Sequence, residues 1–542
     1  MLQVDLFTVC AVGGIVLLVY HYLSKKFEYF LSKPIPCPKP TFLFGNTASM
    51  ILRTQDAKEK IQELYNSFPD AKIMGFYNLL KPAFIVRDPK VIKKIGVKDF
   101  DYFMEHTPIF SPSKTDADDD NSQSLFGNSL FALRGQKWRD MRATLSPAFT
   151  GSKMRHMFDL VAECGVSLKE FLLKEAKTGK RMEYEMKDTF SRFGTDVIAT
   201  VAFGLKVDSM REQDNEFFTK GKKMLDVKSP KVLIKFLTVV AFPWLARKLD
   251  IDLVDGKLAT YFRGVLTGHM KQREAHGIVR NDMINILMEV QKGALRHNAE
   301  EHETKDAGFA TVEESSVGKS THSRVWTESE LIAQCFLFFF AGFDTVSSGM
   351  SFLAYELALS PEVQDRLYQE IMETDQFLAG KPLNYDTLQK MEYLDMVVSE
   401  ALRKWPPAVL SDRLCSKDYQ YDDGQGTSFV IEKNRTIWIP TIAIHNDPKF
   451  YPNPDKFDPE RFSPENRSKI VPGTYLPFGI GPRNCIGSRF ALMELKSIMY
   501  YLVKEFSLEP TERTEVPLKL SRMAISLQSE KGIWLELKPR KL

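Results

Sequence analysis

The stretch FGIGPRNCIG, residues 478–487, sets one cysteine among three glycines, a proline and an arginine. The residues after it, IGSRFALMELKSIMYYLV, have helical periodicity, so Cys485 closes a glycine-rich turn that runs into a helix. Gly479, Gly481 and Gly487 allow close backbone approach and unusual dihedrals. Amides at a helix N-terminus stabilise an anion, and Arg483 adds positive charge, so the setting favours thiolate over thiol.

A nucleophilic thiolate needs a neighbouring base, and none of the nine histidines recurs in a protease-like motif. A metal ligand is the better reading. The six cysteines are scattered with no C-x-x-C pair, which speaks against a zinc cluster and against a disulfide framework, and fits a reducing compartment. The metal must then bring its remaining ligands with it, as haem does, for which one protein thiolate is enough.

Elements elsewhere must position such a site. WTESELIAQCFLFFFAGFDT, residues 326–345, opens on a capping box, Thr327 with Glu330, with Trp326 placed to staple onto Leu331. It is then apolar nearly all round, a central buried helix. Ala341-Gly342 and Asp344-Thr345 interrupt that apolar run. Glycine inside a helix costs about 1 kcal/mol relative to alanine, and buried polar groups cost unless paired. Either the small pair opens space and the polar pair faces something reactive, or this is a tight helix crossing with a satisfied polar pair. In YLDMVVSEALRKWPP, residues 393–407, Glu400 and Arg403 stand at i, i+3 among apolar neighbours, and Arg461 of FDPERF offers a third partner. GQKWRDMR, residues 135–142, puts Trp138 and Arg142 on one helical face, an aromatic plate beside a cation or simply a basic surface helix.

The frame around these segments is an ordinary globular one. The 542 residues are 44% hydrophobic and 26% charged with net charge +3, too mild for a nucleic-acid binder. Residues 6–23 are almost all apolar, just long enough to span a bilayer, with Lys25 and Lys26 after them. By the positive-inside rule the body faces the cytosol. Four prolines in KPIPCPKP, residues 33–40, make a stiff connector. The expected organisation is an anchor over 1–24, a hinge over 25–40 and one catalytic domain over 41–542. Residues 72–86 read as a β-hairpin, DPKVIKKIG starts a helix capped by Asp88, and 153 to about 290 is largely helical. Residues 293–325 are polar and read as a long exposed loop, or else as an interdomain linker.

In order along the chain, W-x-x-x-R, A-G-x-D-T, E-x-x-R, P-E-R-F and F-x-x-G-x-R-x-C-x-G are all present. The sequence resembles a microsomal cytochrome P450 over essentially its whole length, and within it the insect and vertebrate detoxifying group. The resemblance implies a mainly α fold with small β-sheets (α+β), a triangular helical body around a buried haem, with an N-terminal transmembrane helix. It implies haem b with Cys485 as the axial iron ligand and Phe478 shielding its sulfur. Trp138, Arg142, Arg413 and Arg483 would hold the propionates. Glu400, Arg403 and Arg461 would form a structural triad. Ala341 and Gly342 would make room for dioxygen, and Asp344 and Thr345 would relay protons. With no nucleotide-binding glycine motif in the chain, NADPH electrons would come through a separate NADPH–cytochrome P450 reductase, with cytochrome b5 as an optional second partner. A basic face with Lys137, Arg139 and Arg489 is the expected dock. The location implied is the endoplasmic reticulum membrane, and the implied substrates are lipophilic xenobiotics. The pocket would be lined by the 101–131 segment, the 216–258 region, residues 336–345, Ala408 to Leu410 and the turn near Met523. Rival readings are oxidation of one endogenous lipid, steroid or hormone, a haem-thiolate isomerase or dehydratase, and a non-catalytic haem sensor.

Overall fold

This computed structural model describes residues 20–108, 124–224, 229–249, 254–280, 282–291, 324–523 and 526–540, with Gly14, Leu17, Leu18, Ile251, Asp252, 308–312, Ser315 and Val317 besides. The apolar 6–23 run lies mostly outside the described residues, as does much of 101–131.

The expected hairpin over 72–86 forms. Strand Ile73–Asn78 pairs antiparallel with Lys81–Val86, which pairs parallel with Thr436–Ile439, and that strand pairs antiparallel with Ser411–Leu414. The last strand carries Asp412 and Arg413 to the sheet edge. Two smaller sheets complete the β content, one of three strands and one of two. The rest is helical, so the mainly α architecture with small sheets is as expected.

Helix Glu328–Leu359 runs through the centre. Its capping box is closed on both sides: Thr327 N donates to Glu330 Oε2 at 2.9 Å and Glu330 N donates to Thr327 Oγ1 at 3.3 Å. Trp326 is buried and donates through Nε1 to Thr144 Oγ1 at 3.1 Å. Among the described residues it is the one helix long and apolar enough to cross a membrane, but most of it is buried in protein. It is a core helix, as its all-round apolar sequence requires.

Helix Met186–Phe203 packs along it. Here Gly342 finds its reason: a Cβ at that position would lie 2.8 Å from Ile198 Cδ1. The glycine therefore serves the close helix crossing. Of the small pair, Ala341 is exposed and Gly342 half-buried.

The polar 293–325 segment lies largely outside the described residues, and the part that is described is not a free loop. Phe309 N donates to Asp395 Oδ2 at 2.9 Å, and the Phe309 ring packs on Phe462 and Tyr475 at 5.2 and 5.4 Å. One apolar residue in a polar stretch can anchor it, and composition averaged over the window hides that.

Candidate active site

The cysteine turn is held by its own backbone and by a neighbouring segment. Cys485 N donates to Phe478 O at 2.9 Å, and Gly479 and Gly481 adopt φ of 78° and 72°. At Gly481 no side chain fits, because a Cβ would stand 1.7 Å from the Gly96 carbonyl oxygen. Gly96 in turn presses on Ile480, so the Lys94–Lys98 π-turn covers this stretch. Gly487 caps helix Ser488–Glu505. Phe149 links this turn to the central helix: its ring lies beside Gly487 and meets Phe338 at 5.5 Å. Cys485 in the turn and Ala341 on the central helix are both exposed.

Burial raises the Cys485 thiol, opposed by the Gly487 amide and by Arg142. Of the two influences expected from the sequence, the helix-start amide acts at Gly487, and the cation acting on the sulfur is Arg142. A metal cation at the sulfur would favour the ionised form further. All five described cysteines are free.

Beside the turn lies a set of buried cations. Arg483 donates only to backbone carbonyls, from Nε to Met104 at 2.7 Å, from Nη1 to Leu130 at 3.0 Å and from Nη2 to Leu133 at 2.6 Å. Its guanidinium lies 4.1 Å from the centre of the Trp138 ring, which is 1% exposed. Arg413 donates to the carbonyls of Asp412 at 2.7 Å and Ile480 at 2.9 Å, and its buried Nε has no partner among the described residues. Arg142 donates to Asn484 O at 2.9 Å and Asn484 Oδ1 at 2.8 Å. Burial lowers Arg483 well below the usual guanidinium range, with repulsion from Arg413 and Arg142 adding to it. Arg413 is pulled down to about 10, again by burial, with Asp412 opposing. Buried cations that repel one another are costly, and at Arg483 the nearby Glu105 and Asp412 oppose that cost without cancelling it.

His106 carries no local signal in the sequence. Its Nδ1 lies 2.8 Å from Asp412 Oδ1, its ring stacks on Phe131 at 4.4 Å, and Thr107 N donates to Asp412 Oδ2 at 2.6 Å. Burial acts to raise the Asp412 carboxyl, but His106 and Thr107 outweigh it and hold it down at about 2. Burial, with Arg483 and Arg413 nearby, pushes the His106 imidazole down despite Asp412, so the charge that this pair sets beside the arginines is the Asp412 carboxylate. No local spacing could have found it, since 306 positions separate the partners.

Asp344 and Thr345 part company. Thr345 Oγ1 donates to Ala341 O at 2.6 Å. Asp344 instead reaches Lys187, whose Nζ lies 2.9 Å from Asp344 Oδ1 and 2.7 Å from Asp344 O, with Ser347 and Ser348 hydroxyls at 2.7 and 2.8 Å. Ser526 Oγ also donates to this carboxylate, and Gln528 Nε2 does so at 3.0 Å. Burial pushes the Asp344 carboxyl up, but Lys187 and these donors outweigh it and hold it below its usual range. Lys187, on the first turn of helix Met186–Phe203, was invisible in the sequence for want of any periodic relation to Asp344.

The E-x-x-R pair is fully buried, both side chains being 0% exposed. Arg403 binds Glu400 bidentately, Nε to Oε2 at 2.7 Å and Nη2 to Oε1 at 2.8 Å. Its Nη1 donates to His445 O at 2.9 Å and Nη2 also to Pro454 O at 2.7 Å. Glu400 Oε1 accepts from Asp458 N at 3.0 Å and Arg461 Nε at 3.4 Å. All three residues of the expected triad meet.

The three cations of the expected docking face fare differently. Lys137 is bound to Glu330 at 2.7 Å and Arg139 to Asp101 at 2.6 Å. Arg489 is half-buried in helix Ser488–Glu505. The first two are therefore committed within the protein, which corrects that part of the expectation.

Comparison with known proteins agrees with this arrangement. The family model described as Cytochrome P450 matches residues 35–535. "Probable cytochrome P450 9f2" of Drosophila melanogaster is 42% identical over 524 residues, covering 96% of this chain and 97% of that protein. "Cytochrome P450 9e2" of Blattella germanica is 40% identical over 543 residues, covering 98% and 97%. "Cytochrome P450 6k1" of the same species is 34% identical over 519 residues, covering 96% and 94%. A family whose cofactor is a cysteine-ligated haem accounts at once for the lone cysteine turn and for the buried arginines gathered beside it. The chain belongs to the cytochrome P450 family of haem-thiolate monooxygenases, among its insect members.

Proposed function

We propose that this protein is an NADPH- and O2-dependent monooxygenase that oxidises lipophilic small molecules such as plant toxins and insecticides, at haem b ligated by Cys485. The observation that carries the reading is the buried set of Arg413 and Arg483, held only by carbonyls, next to the cysteine turn. The propionates of a bound haem would add anionic partners to this set, and Arg413 Nε, buried with no partner among the described residues, is a donor for one. When bound, haem supplies the oxidative chemistry, and thiolate ligation favours O–O cleavage.

The chain's own residues do the rest. Trp138 and Arg142 flank the propionate site with Arg483. Phe478 O closes the turn on Cys485 N and fixes the sulfur's direction. Ala341 keeps the central helix slim where it faces the site. Asp344, ionised beside Lys187, is a proton-accepting carboxylate one residue from Thr345, whose hydroxyl can turn from Ala341 O to pass a proton on. The Glu400–Arg403–Arg461 triad is scaffold. Apolar rings line the expected pocket side: Phe126 meets Phe131 at 5.8 Å and Phe340 at 5.6 Å. That lining favours lipophilic substrates.

We further place the protein on the endoplasmic reticulum membrane through an anchor over 1–24, a hinge over 25–40 and a cytosolic catalytic domain over 41–542. In support, helices Pro230–Ala241 and Pro243–Lys248 leave Ile234 and Trp244 exposed, with Phe242 exposed between them. Lys81 Nζ donates to Val240 O at 2.6 Å, tying this face to the hairpin. A contiguous apolar face of this kind fits a membrane surface.

Turnover of lipophilic toxins by the purified protein with reductase and NADPH tests the reading. Product formed only with NADPH, across several unrelated toxins, is expected. Strict activity on one endogenous steroid or lipid, or conversion without NADPH, would overturn it.

A further inference from the structure

The turn over 41–45 is closed by two reciprocal hydrogen bonds: Thr41 N donates to Gly45 O at 3.1 Å and Gly45 N to Thr41 O at 2.8 Å. Phe42 and Leu43 in this turn are exposed. Leu43 has a φ of 68°, a left-handed conformation that is strained for a leucine. The turn sits on the end of the first hairpin, where Gly45 bridges Asn78 and a Cβ at Gly45 would lie 2.2 Å from Leu79 O. Lys81, at the same hairpin end, holds Val240 of the apolar face over 230–248. Tyr20 of the proposed anchor meets the Phe42 ring at 5.3 Å. The turn is therefore continuous with the surface that carries Ile234, Phe242 and Trp244.

Beside the turn lies a cavity of about 300 Å3. It is lined by Lys39 and Thr41, by Ser49 of the short helix Ala48–Ile51, and by Lys60 and Glu63 of helix Ala57–Asn66. Lys39 is exposed and makes no ion pair among the described residues. Lys60 Nζ contacts one Glu63 oxygen at 2.7 Å and Gln55 Nε2 donates to the other at 3.1 Å, yet the Glu63 side chain stays 51% exposed. Ser49 Oγ is buried without a partner among the described residues. The cavity thus sets two ammonium groups beside a carboxylate and adds an unused hydroxyl. A phosphate alone would meet repulsion from Glu63, and an amine alone would meet repulsion from Lys39 and Lys60. A group carrying both charges finds a partner for each. We infer that this cavity holds the headgroup of a zwitterionic phospholipid of the bilayer, its phosphate on Lys39 and Lys60 and its ammonium on Glu63, with Phe42 and Leu43 among the acyl chains. The inference rests on the membrane placement proposed above.

The test is calorimetric titration of the full-length holoprotein, held in amphipol, with dihexanoylphosphatidylcholine, dihexanoylphosphatidylglycerol and inorganic phosphate, the lipids kept below their micellar concentrations. Lys39→Ala and Glu63→Gln are compared with Lys381→Ala, an exposed position outside the cavity. Wild type is expected to bind the choline lipid about fivefold or more tighter than the glycerol lipid, and phosphate more weakly still. Glu63→Gln should abolish that preference, and Lys39→Ala should weaken both lipids about fivefold, while the control stays within about twofold. Equal or tighter binding of the anionic glycerol lipid to wild type would overturn the assignment, as would phosphate binding as tightly as the choline lipid. So would unchanged binding in both cavity variants with their reduced carbon-monoxide spectra matching wild type. Failure of the membrane placement would appear separately, as release of the unmutated protein from microsomes by alkaline carbonate.

Discussion

Arg403→Ala is expected to remove about 3–5 kcal/mol of folding stability, the usual cost of breaking a buried ion pair by deleting one partner. Glu400 would be left fully buried, keeping only Asp458 N and the longer Arg461 contact. The carbonyls of His445 and Pro454 would lose their donors as well. Domains are stable by about 5–15 kcal/mol, so this one change consumes much of the margin. Urea unfolding followed by far-UV circular dichroism measures it. Arg403→Lys keeps the charge but loses the bidentate fork, and should recover only part of the loss. A cost below about 1 kcal/mol for Arg403→Ala would mean that the triad does not hold the fold.

The second large effect is expected at Lys187. Lys187→Met should cost about 3 kcal/mol, at the lower end for a buried pair because 22% of the Lys187 side chain remains exposed. Asp344 would lose its cation while Ser526 and Gln528 stayed, and burial would then drive its carboxyl upward. The sign of the pH effect follows. In the wild type the Asp344 carboxyl is held below its unfolded value near 3.9, so its contribution is complete above that pH and is lost as pH falls through the lower folded value. In Lys187→Met the folded value rises, so stability relative to wild type should fall as pH rises toward neutral. The double variant Lys187→Met with Asp344→Asn should recover part of the loss. Additive costs in that cycle, or a pH-independent difference, would show the pair to be uncoupled.

Some of this site was readable in the chain because its physics is local. The capping box of Thr327 and Glu330 spans three residues, and the structure closes both of its bonds. Glu400 and Arg403 were legible because three positions on a helix bring side chains together, and their apolar neighbours announced burial. Ala341-Gly342 was legible only as a choice between open space and a tight crossing. The structure divides the pair, Ala341 to the site and Gly342 to Ile198. Lys187 and His106 were not legible, because their partners lie 157 and 306 positions away and no period links them. Charge can be counted in a sequence, but whether a carboxylate neutralises it depends on contacts such as those of Lys137 and Arg139.

Everything said of the site depends on a thiolate at Cys485, and the absorption spectrum of the reduced carbon-monoxide adduct tests it most directly. The account expects a thiolate-type Soret shift in the wild type that vanishes in Cys485→His while haem is still bound. An unchanged thiolate-type shift in Cys485→His would contradict it.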